Sequence, residues 1–146
     1  MGSAPPAPGQ VGWGWWSLRL DDGRDLMLYV LRRADGAPDH RSGALVERDG
    51  RVRLLASSDW SVEVRGTWRS AASGAVYPAA WRVAVPSAGI RVEVRPEVAA
   101  AENLSQRVPG LAYWEGPVRL TGEDGRITGE GYVELTGYGS GTRPPI

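Results

Sequence analysis

Short apolar runs separated by glycine turns extend along the chain from Val11 onward, and this pattern constrains the fold more than any other feature. An Asp-Gly pair between apolar runs favours a β-hairpin, because glycine takes the positive φ that tight turns need. Such turn segments, one of them Pro-Ser-Ala-Gly, occur at residues 21–23, 34–36, 48–50, 86–89 and 123–125. The pattern therefore predicts about nine or ten strands, near residues 12–20, 25–33, 43–48, 51–56, 60–68, 79–86, 90–96, 111–121 and 127–138.

Alternation between apolar and polar residues is clearest at residues 90–95. Ile90, Val92 and Val94 share one face, and the charged residues between them share the other. A meander of half-buried antiparallel strands leaves two exposed edges unless it closes on itself. The sequence therefore predicts an all-β fold, a single antiparallel up-and-down β-barrel. Only residues 97–106 have a composition that favours a helical turn.

The length of 146 residues corresponds to a single domain with a substantial core. The opening segment MGSAPPAPGQ is rich in proline and small residues, so it predicts a flexible arm rather than a strand. The predicted organisation is an arm at 1–10, a barrel at 11–139 and a tail at 140–146.

Composition argues against several classes of function. Seventeen basic and seventeen acidic residues leave no net charge that would attract nucleic acid or an anionic membrane surface. The chain has no cysteine and one histidine, His40, so neither a metal nor another cofactor is predicted. No apolar run approaches the roughly 18 residues that cross a bilayer, and no signal peptide is evident, so a cytoplasmic location is expected.

Five segments carry a resemblance to a known family. They are GWGWWSLRLDDGRDLMLYVLRRADG (12–36), SGALVERDGRVRLL (42–55), YPAAWRVAVPSAGI (77–90), YWEGPVRLTG (113–122) and GEGYVELTGY (129–138). In this order they resemble the C-terminal domain of the lipocalin-like AttH and carotenoid 1,2-hydratase family. The resemblance implies a lipocalin-like barrel of the calycin type, and the family is also similar to lipocalin-like cyclases of polyketide biosynthesis.

The chain also departs from that family. Members usually have an additional barrel before this one, which this chain is expected to lack, so we expect its site at the barrel mouth or at an interface with a second copy. The family's first block often has an acidic residue between its tryptophans, whereas this sequence has Gly14 there. A carboxylate at that position is therefore not available.

Carboxyl and phenol groups on the last two predicted strands are the candidate catalytic groups. Tyr113 and Glu115 share one face of their strand, and Tyr132 and Glu134 share one face of the next, so a hairpin would make them neighbours. A carboxyl group in an apolar pocket has a raised pKa and can protonate an alkene or a carbonyl. A one-residue slip would instead turn both glutamates to solvent, and the sequence leaves both registers open.

Aromatic residues are the candidate substrate-binding groups, because their π faces can stabilise a carbocation and hold a polyene or polyketide in a reactive shape. The same residues would serve equally well as core. Trp13 and Trp15 are expected to line the pocket, since they lie on the face opposite Trp16. The full predicted set is Trp13, Trp15, Trp16, Tyr29, Trp81 and Trp114.

Two function classes remain. The first is a cofactor-free enzyme of natural product biosynthesis that binds an apolar polyketide or isoprenoid and promotes cyclisation, including [4+2] ring closure, hydration or isomerisation. The second is a carrier that binds an apolar ligand without transforming it. The expected partner is an apolar small molecule, with no nucleic acid and no membrane, and a homodimer is a further expectation.

Overall fold

The computed structural model describes residues 10–33, 35, 38–104 and 112–138. The predicted arm and tail fall almost entirely outside this range, since residues 1–9 and 139–146 are not described. Ten strands are present, including all nine predicted segments. They are β1 (Gln10–Leu20), β2 (Asp25–Arg33), β3 (Pro38–Val46), β4 (Val52–Leu55), β5 (Ser61–Arg69), β6 (Val76–Val85), β7 (Ile90–Pro96), β8 (Glu102–Leu104), β9 (Ala112–Gly122) and β10 (Thr128–Thr136).

Glycine turns join these strands at the predicted places within the described residues, whereas the predicted turn at 34–36 lies largely outside them. Gly23 has φ 95° between β1 and β2, and Gly125 has φ 75° between β9 and β10. These values lie in the left-handed region, which costs glycine little and other residues more. The Asp-Gly pairs therefore act as the hairpin signals that the sequence predicts.

The strands form one antiparallel sheet in the order β4-β3-β2-β1-β10-β9-β7-β6-β5, with β8 also paired to β9. Strand β1 pairs with both β2 and β10, so the two ends of the chain meet in the middle of the sheet. The sheet curls into an incomplete barrel whose edge strands are β4 and β5. The all-β, lipocalin-like fold class is thereby confirmed, whereas β8 shows that residues 102–104 are a strand and not part of a helical turn.

The concave face of the sheet forms the core. Strict alternation places Trp114, Val118 and Leu120 of β9 inside, and Val133 and Leu135 of β10 beside them. Near its centre three buried indoles contact one another edge to face: Trp81 lies 6.0 Å from Trp16 and 6.2 Å from Trp114 between ring centroids. Aromatic pairs at this spacing add to the free energy gained by burying their area.

Gly14 makes room for one of these indoles. A Cβ at this position would lie 2.5 Å from Cη2 of Trp16, closer than any real contact, and Trp16 is held in place by Trp81. We expect Gly14→Ala to lower the free energy of unfolding by about 1–3 kcal/mol, the usual cost of overpacking. Chemical denaturation monitored by circular dichroism measures this. Gly66→Ala is the matched control, since its Cβ would meet only Ala80 at 3.5 Å, and equal losses in both variants would contradict the account.

A half-buried carboxylate, that of Glu102, ties β8 to the turn between β5 and β6. Glu102 accepts hydrogen bonds from the hydroxyls of Ser70 at 2.5 Å, Ser73 at 2.5 Å and Tyr77 at 2.8 Å. Burial opposes ionisation of Glu102, but the three hydroxyl bonds outweigh it, so its pKa lies below the ordinary value. Burial and the bond to Glu102 raise the pKa of Tyr77. The charged carboxylate is therefore part of the folded structure.

We expect Glu102→Gln to lower the free energy of unfolding by about 1–3 kcal/mol near neutral pH, because hydrogen bonds to a charged acceptor are lost. Since the folded pKa is lowered, the wild-type advantage is complete above the ordinary value of 4.5 and is lost as the pH falls through the folded pKa. Urea unfolding at a series of pH values measures this difference. Glu130→Gln, on the exposed face of β10, is the control, and a difference for Glu102→Gln that grows as the pH falls would contradict this role.

Candidate functional site

A cavity of about 470 Å³ opens where the sheet fails to close. Strand β3 pairs with β4 only from residue 43 onward, so residues 38–42 face the start of β5 without an intervening strand. The volume lies within the range of small-molecule sites, about 300–1,000 Å³. Its walls come from β1, β2, β3, β5 and β6 and are mostly apolar, with Trp16, Val30, Val62, Val64, Pro78 and Trp81 among the lining residues.

Arg32 supplies a positive charge to this cavity. Its guanidinium stacks over the ring of Tyr138, 3.7 Å from the centroid, and donates a hydrogen bond to the carbonyl oxygen of Thr136. Its Nε is buried and has no acceptor among the described residues. Burial lowers the pKa of Arg32, yet an arginine remains protonated in proteins. Arg32 therefore brings a largely desolvated positive charge to the cavity wall.

Trp16 contributes a second unused donor. Its Nε1 is buried and also has no acceptor among the described residues, and its ring lines the same cavity. A buried N–H without a partner carries a desolvation cost of about 1–3 kcal/mol. Almost none of Nε1 is accessible to solvent, so a ligand oxygen would reach it only after a local movement of the ring. Because the charge of Arg32 lies beside a mostly apolar wall, the cavity is suited to an apolar molecule that carries an oxygen function.

Arg41 lies at the open side of the cavity. It donates a hydrogen bond to the carbonyl oxygen of Trp60 at 3.0 Å, and its guanidinium lies 4.1 Å from the centroid of that indole. This contact connects β3 to the start of β5 across the gap in the sheet. Arg41 therefore combines a structural contact with a second positive charge at the cavity.

Tyr138 is a further polar residue that lines the cavity, next to Arg32. Burial raises the pKa of its phenol, with Arg32 acting in the opposite direction. The group is consequently neutral at physiological pH and can donate a hydrogen bond. Its ring also lies 5.9 Å from that of Tyr77, which connects this corner of the cavity to the Glu102 cluster.

The structure brings two of the predicted substrate-binding residues, Trp16 and Trp81, to the cavity wall. Trp114 lies behind Trp81 and is fully buried, with its Nε1 donating to the carbonyl oxygen of Ala99 at 2.8 Å. Trp114 is therefore placed as core. The roles of all three residues stay predictions.

The predicted catalytic glutamates lie on the opposite, convex face of the sheet. Glu134 of β10 is directly across from Glu115 of β9 and from Trp15 of β1, and Trp15 is across from Tyr29. Burial, then Glu115 and Glu134, raise the pKa of the neighbouring Tyr132. Because successive side chains alternate between faces, these residues are turned away from the cavity. Their catalytic role stays a prediction, and any such chemistry would take place on the convex face.

Trp13 and Tyr113 belong to the same convex face. Trp13 is two residues before Trp15 on β1, and Tyr113 is two residues before Glu115 on β9. The sequence argument expected Trp13 and Trp15 to line the pocket, on the face of β1 opposite Trp16. The structure has the reverse arrangement, because it is the buried face of β1 that meets the cavity. Trp13 also has a buried Nε1 without an acceptor among the described residues.

Arg32 and Arg41, two charged residues of the cavity, were not singled out by the sequence argument. A signal was present for Arg32, which follows Leu26, Leu28 and Val30 at a spacing of two and so occupies a core-facing position. A charge on the apolar face of a strand is uncommon unless it is paired or functional. Alternation alone could therefore have identified it.

Two absences concern the described residues only. No group of three or more histidine, cysteine, aspartate or glutamate side chains is arranged there to hold a metal ion. No helix in the described part of the chain is long and apolar enough to cross a membrane.

A curled antiparallel sheet around a mostly apolar cavity is the architecture of a lipocalin-like fold. The sequence profile of the AttH-like family matches residues 1–138, and the chain belongs to that family. A search of curated proteins finds no match.

Two solved structures are similar to the chain. A Nitrosomonas europaea protein assigned as an AttH has a TM-score of 0.82 and 38% identity, covering 94% of this chain and 42% of its own. Kievitone hydratase from Nectria haematococca has a TM-score of 0.65 and 14% identity, covering 90% and 40% respectively. The chain therefore spans about two fifths of the length of each structure, and the second likeness concerns the fold.

Proposed function

We propose that the chain is a cofactor-free enzyme that binds an apolar polyketide or isoprenoid in the cavity and promotes hydration, or the reverse elimination of water, next to an oxygen function. The observation that carries this proposal is one mostly apolar cavity lined by the indole of Trp16 and by Arg32, whose positive charge no described carboxylate neutralises. The similarity in fold to a hydratase supports this reaction class. Isomerisation and cyclisation of the same substrates draw on the same residues.

The chemistry assigned to the cavity is stabilisation of a developing negative charge on oxygen. Water adds to the β-carbon of an alkene that is conjugated to a carbonyl, and the alkene electrons move to the carbonyl oxygen. Arg32, with Tyr138 as a neutral donor beside it, stabilises the enolate oxygen. The added water then loses a proton to solvent and the α-carbon takes one up. Among the described residues that line the cavity none is a carboxylate, so solvent carries these protons.

A second candidate site is the convex face, where Glu115 and Glu134 are directly opposed beside Trp15 and Tyr132. Two carboxylates held side by side favour protonation of one of them when solvent is excluded. Tyr132 is 41% exposed, so a covering surface is needed for this effect. The expected homodimer is the cover that we propose, and Glu115 or Glu134 would then serve as the acid.

The experiment that tests the enzyme proposal incubates the protein with a panel of polyenes, enones and linear polyketides, with products followed by mass spectrometry and NMR. We expect conversion of at least one compound with gain or loss of one water. Binding of panel compounds without any product would instead identify a carrier.

Glutamine variants of the two glutamates separate the two sites. We expect Glu115→Gln and Glu134→Gln to retain conversion within about twofold, because their carboxylates lie on the face opposite the cavity. Initial rates at saturating substrate measure this. A loss of two or more orders of magnitude in either variant, with binding retained, would transfer the chemistry to the convex face.

A further inference from the structure

The charge balance of the cavity is unlike that of the rest of the molecule. Most described arginines elsewhere are paired with carboxylates, as in Arg24 with Asp22 at 2.7 Å and Arg119 with Glu97 at 3.0 Å. The others outside the cavity have no ion pair within the described part of the chain but are exposed to solvent; they are Arg53, Arg69, Arg95 and Arg126. Arg32 and Arg41 line one cavity, and among the described residues no ion pair neutralises either of them. The cavity therefore holds two positive charges and no compensating negative charge from the described residues.

An uncompensated cation in an apolar cavity is costly, and a neutral carbonyl dipole removes only part of that cost. A full negative charge removes more, and the planar guanidinium matches an anionic oxygen group well. Arg32 lines the cavity and uses one nitrogen to bind the Thr136 carbonyl, and no described carboxylate pairs with it. Its positive charge is thus available to such a group.

We infer that the cavity selects apolar ligands that carry an anionic oxygen, as a carboxylate or a phenolate, over neutral ligands of the same shape. Arg32 binds this oxygen, and Arg41 adds a second positive charge at the opening. This inference deepens the proposed function by naming its substrate class, and it rests on the same cavity. When the anionic group is a carboxylate conjugated to the reacting alkene, Arg32 binds its negative charge before the addition and stabilises the further charge that develops on its oxygens during the addition.

The test compares ligands that share one apolar body and differ in charge. Isothermal titration calorimetry is run on the intact protein with 2-naphthoate, methyl 2-naphthoate and 2-naphthol at neutral pH. We expect 2-naphthoate to bind about 10- to 100-fold more tightly than its methyl ester, the range for hydrogen bonds to a charged group. Equal affinities for acid and ester in the wild-type protein would overturn the inference, and that comparison requires no variant.

Variants assign the preference to Arg32. We expect Arg32→Gln to abolish the difference between acid and ester by weakening the acid alone, and Arg32→Lys to retain part of it. Arg19→Gln is the matched control, because Arg19 is exposed on the convex face and paired with Asp25 at 3.1 Å. Circular dichroism melting establishes that each variant is folded. An unchanged preference in folded Arg32→Gln would overturn the assignment.

2-Naphthol tests whether the cavity binds phenolates as well as carboxylates. If the absorbance of the bound compound at neutral pH is that of the naphtholate anion, the cavity binds both groups; if it is that of neutral naphthol, the anionic preference is limited to carboxylates. The readout is binding, so it does not depend on turnover. If the proposed function is wrong, 2-naphthoate will still bind more tightly than its methyl ester, but no compound of the panel will be converted. If this inference is wrong, acid and ester will bind equally, and products will still form from neutral substrates.

Discussion

Arg32→Gln is expected to lower turnover of a converted substrate by about 10²- to 10³-fold, the cost of removing one donor from an oxyanion-stabilising site. For a substrate that reacts through a neutral carbonyl, the loss should appear in kcat more than in KM, because the charge that Arg32 stabilises grows as the reaction proceeds. For a substrate that is anionic before it reacts, KM should rise as well, because Arg32 also binds the ground state. Steady-state rates by mass spectrometry measure both parameters. The geometry that supports this expectation is a partly buried guanidinium at the cavity wall that no described carboxylate neutralises.

Two variants control that experiment. Arg32→Lys keeps the charge but loses the planar group, so an intermediate rate is expected. Arg19→Gln removes an exposed arginine from the convex face and should leave the rate unchanged. If Arg32→Gln folds, binds substrate and turns it over at the wild-type rate, then Arg32 has no part in the chemistry.

Trp81→Ala should have the largest effect on stability, lowering the free energy of unfolding by about 3–5 kcal/mol, the usual cost of deleting a buried large aromatic side chain. Trp81 has no exposed surface and contacts two further indoles, Trp16 and Trp114. Its removal would also merge the cavity with the core. Urea or guanidinium denaturation, with intrinsic fluorescence and circular dichroism as independent probes, measures the change.

Trp15→Ala is the matched control for that prediction. Trp15 is a tryptophan of similar size on the convex face, opposite Tyr29 and Glu134. Cross-strand contacts on a solvated face contribute about 0.2–1 kcal/mol each, so we expect a loss near 1 kcal/mol. A loss for Trp15→Ala as large as that for Trp81→Ala would mean that the convex face carries as much of the folding free energy as the core.

The strand segments were predictable because the signals are local. Asp-Gly turns set the hairpins, and Gly23 and Gly125 have the positive φ that the motif predicts. Strand β8 was missed because Glu102 and its neighbours carry no alternation. What holds β8 is tertiary, namely pairing with β9 and the hydroxyl groups that bind Glu102. A local pattern contains neither contact.

The site was harder to predict, since the period of two in a strand identifies two faces without saying which one meets a cavity. Glu115 and Glu134 were correctly expected to be neighbours across a hairpin, and they are directly opposed. Which face they occupy depends on the curl of the whole sheet. The aromatic motif of β1 has the same ambiguity, with Trp16 inside and Trp15 outside.

The cavity itself depends on a long-range feature, the gap between the edge strands β4 and β5. No segment of sequence encodes that gap, because it results from how the two edges of a curled sheet fall short of each other. Arg32 could have been identified from its core-facing position on β2. Its place at the cavity wall and its contact with Tyr138 required the tertiary structure.

The central claim is that ligands bind in the cavity lined by Arg32 and Trp16, and indole N–H signals in a ¹H–¹⁵N NMR spectrum test it most directly. Trp16 and Trp13 each have a buried Nε1 for which the described part of the chain supplies no acceptor, one on each face of the same strand. Their signals can be assigned with Trp16→Phe and Trp13→Phe. Addition of 2-naphthoate should shift the Trp16 signal and leave that of Trp13 in place, whereas a shift confined to Trp13 would place binding on the convex face and contradict the account.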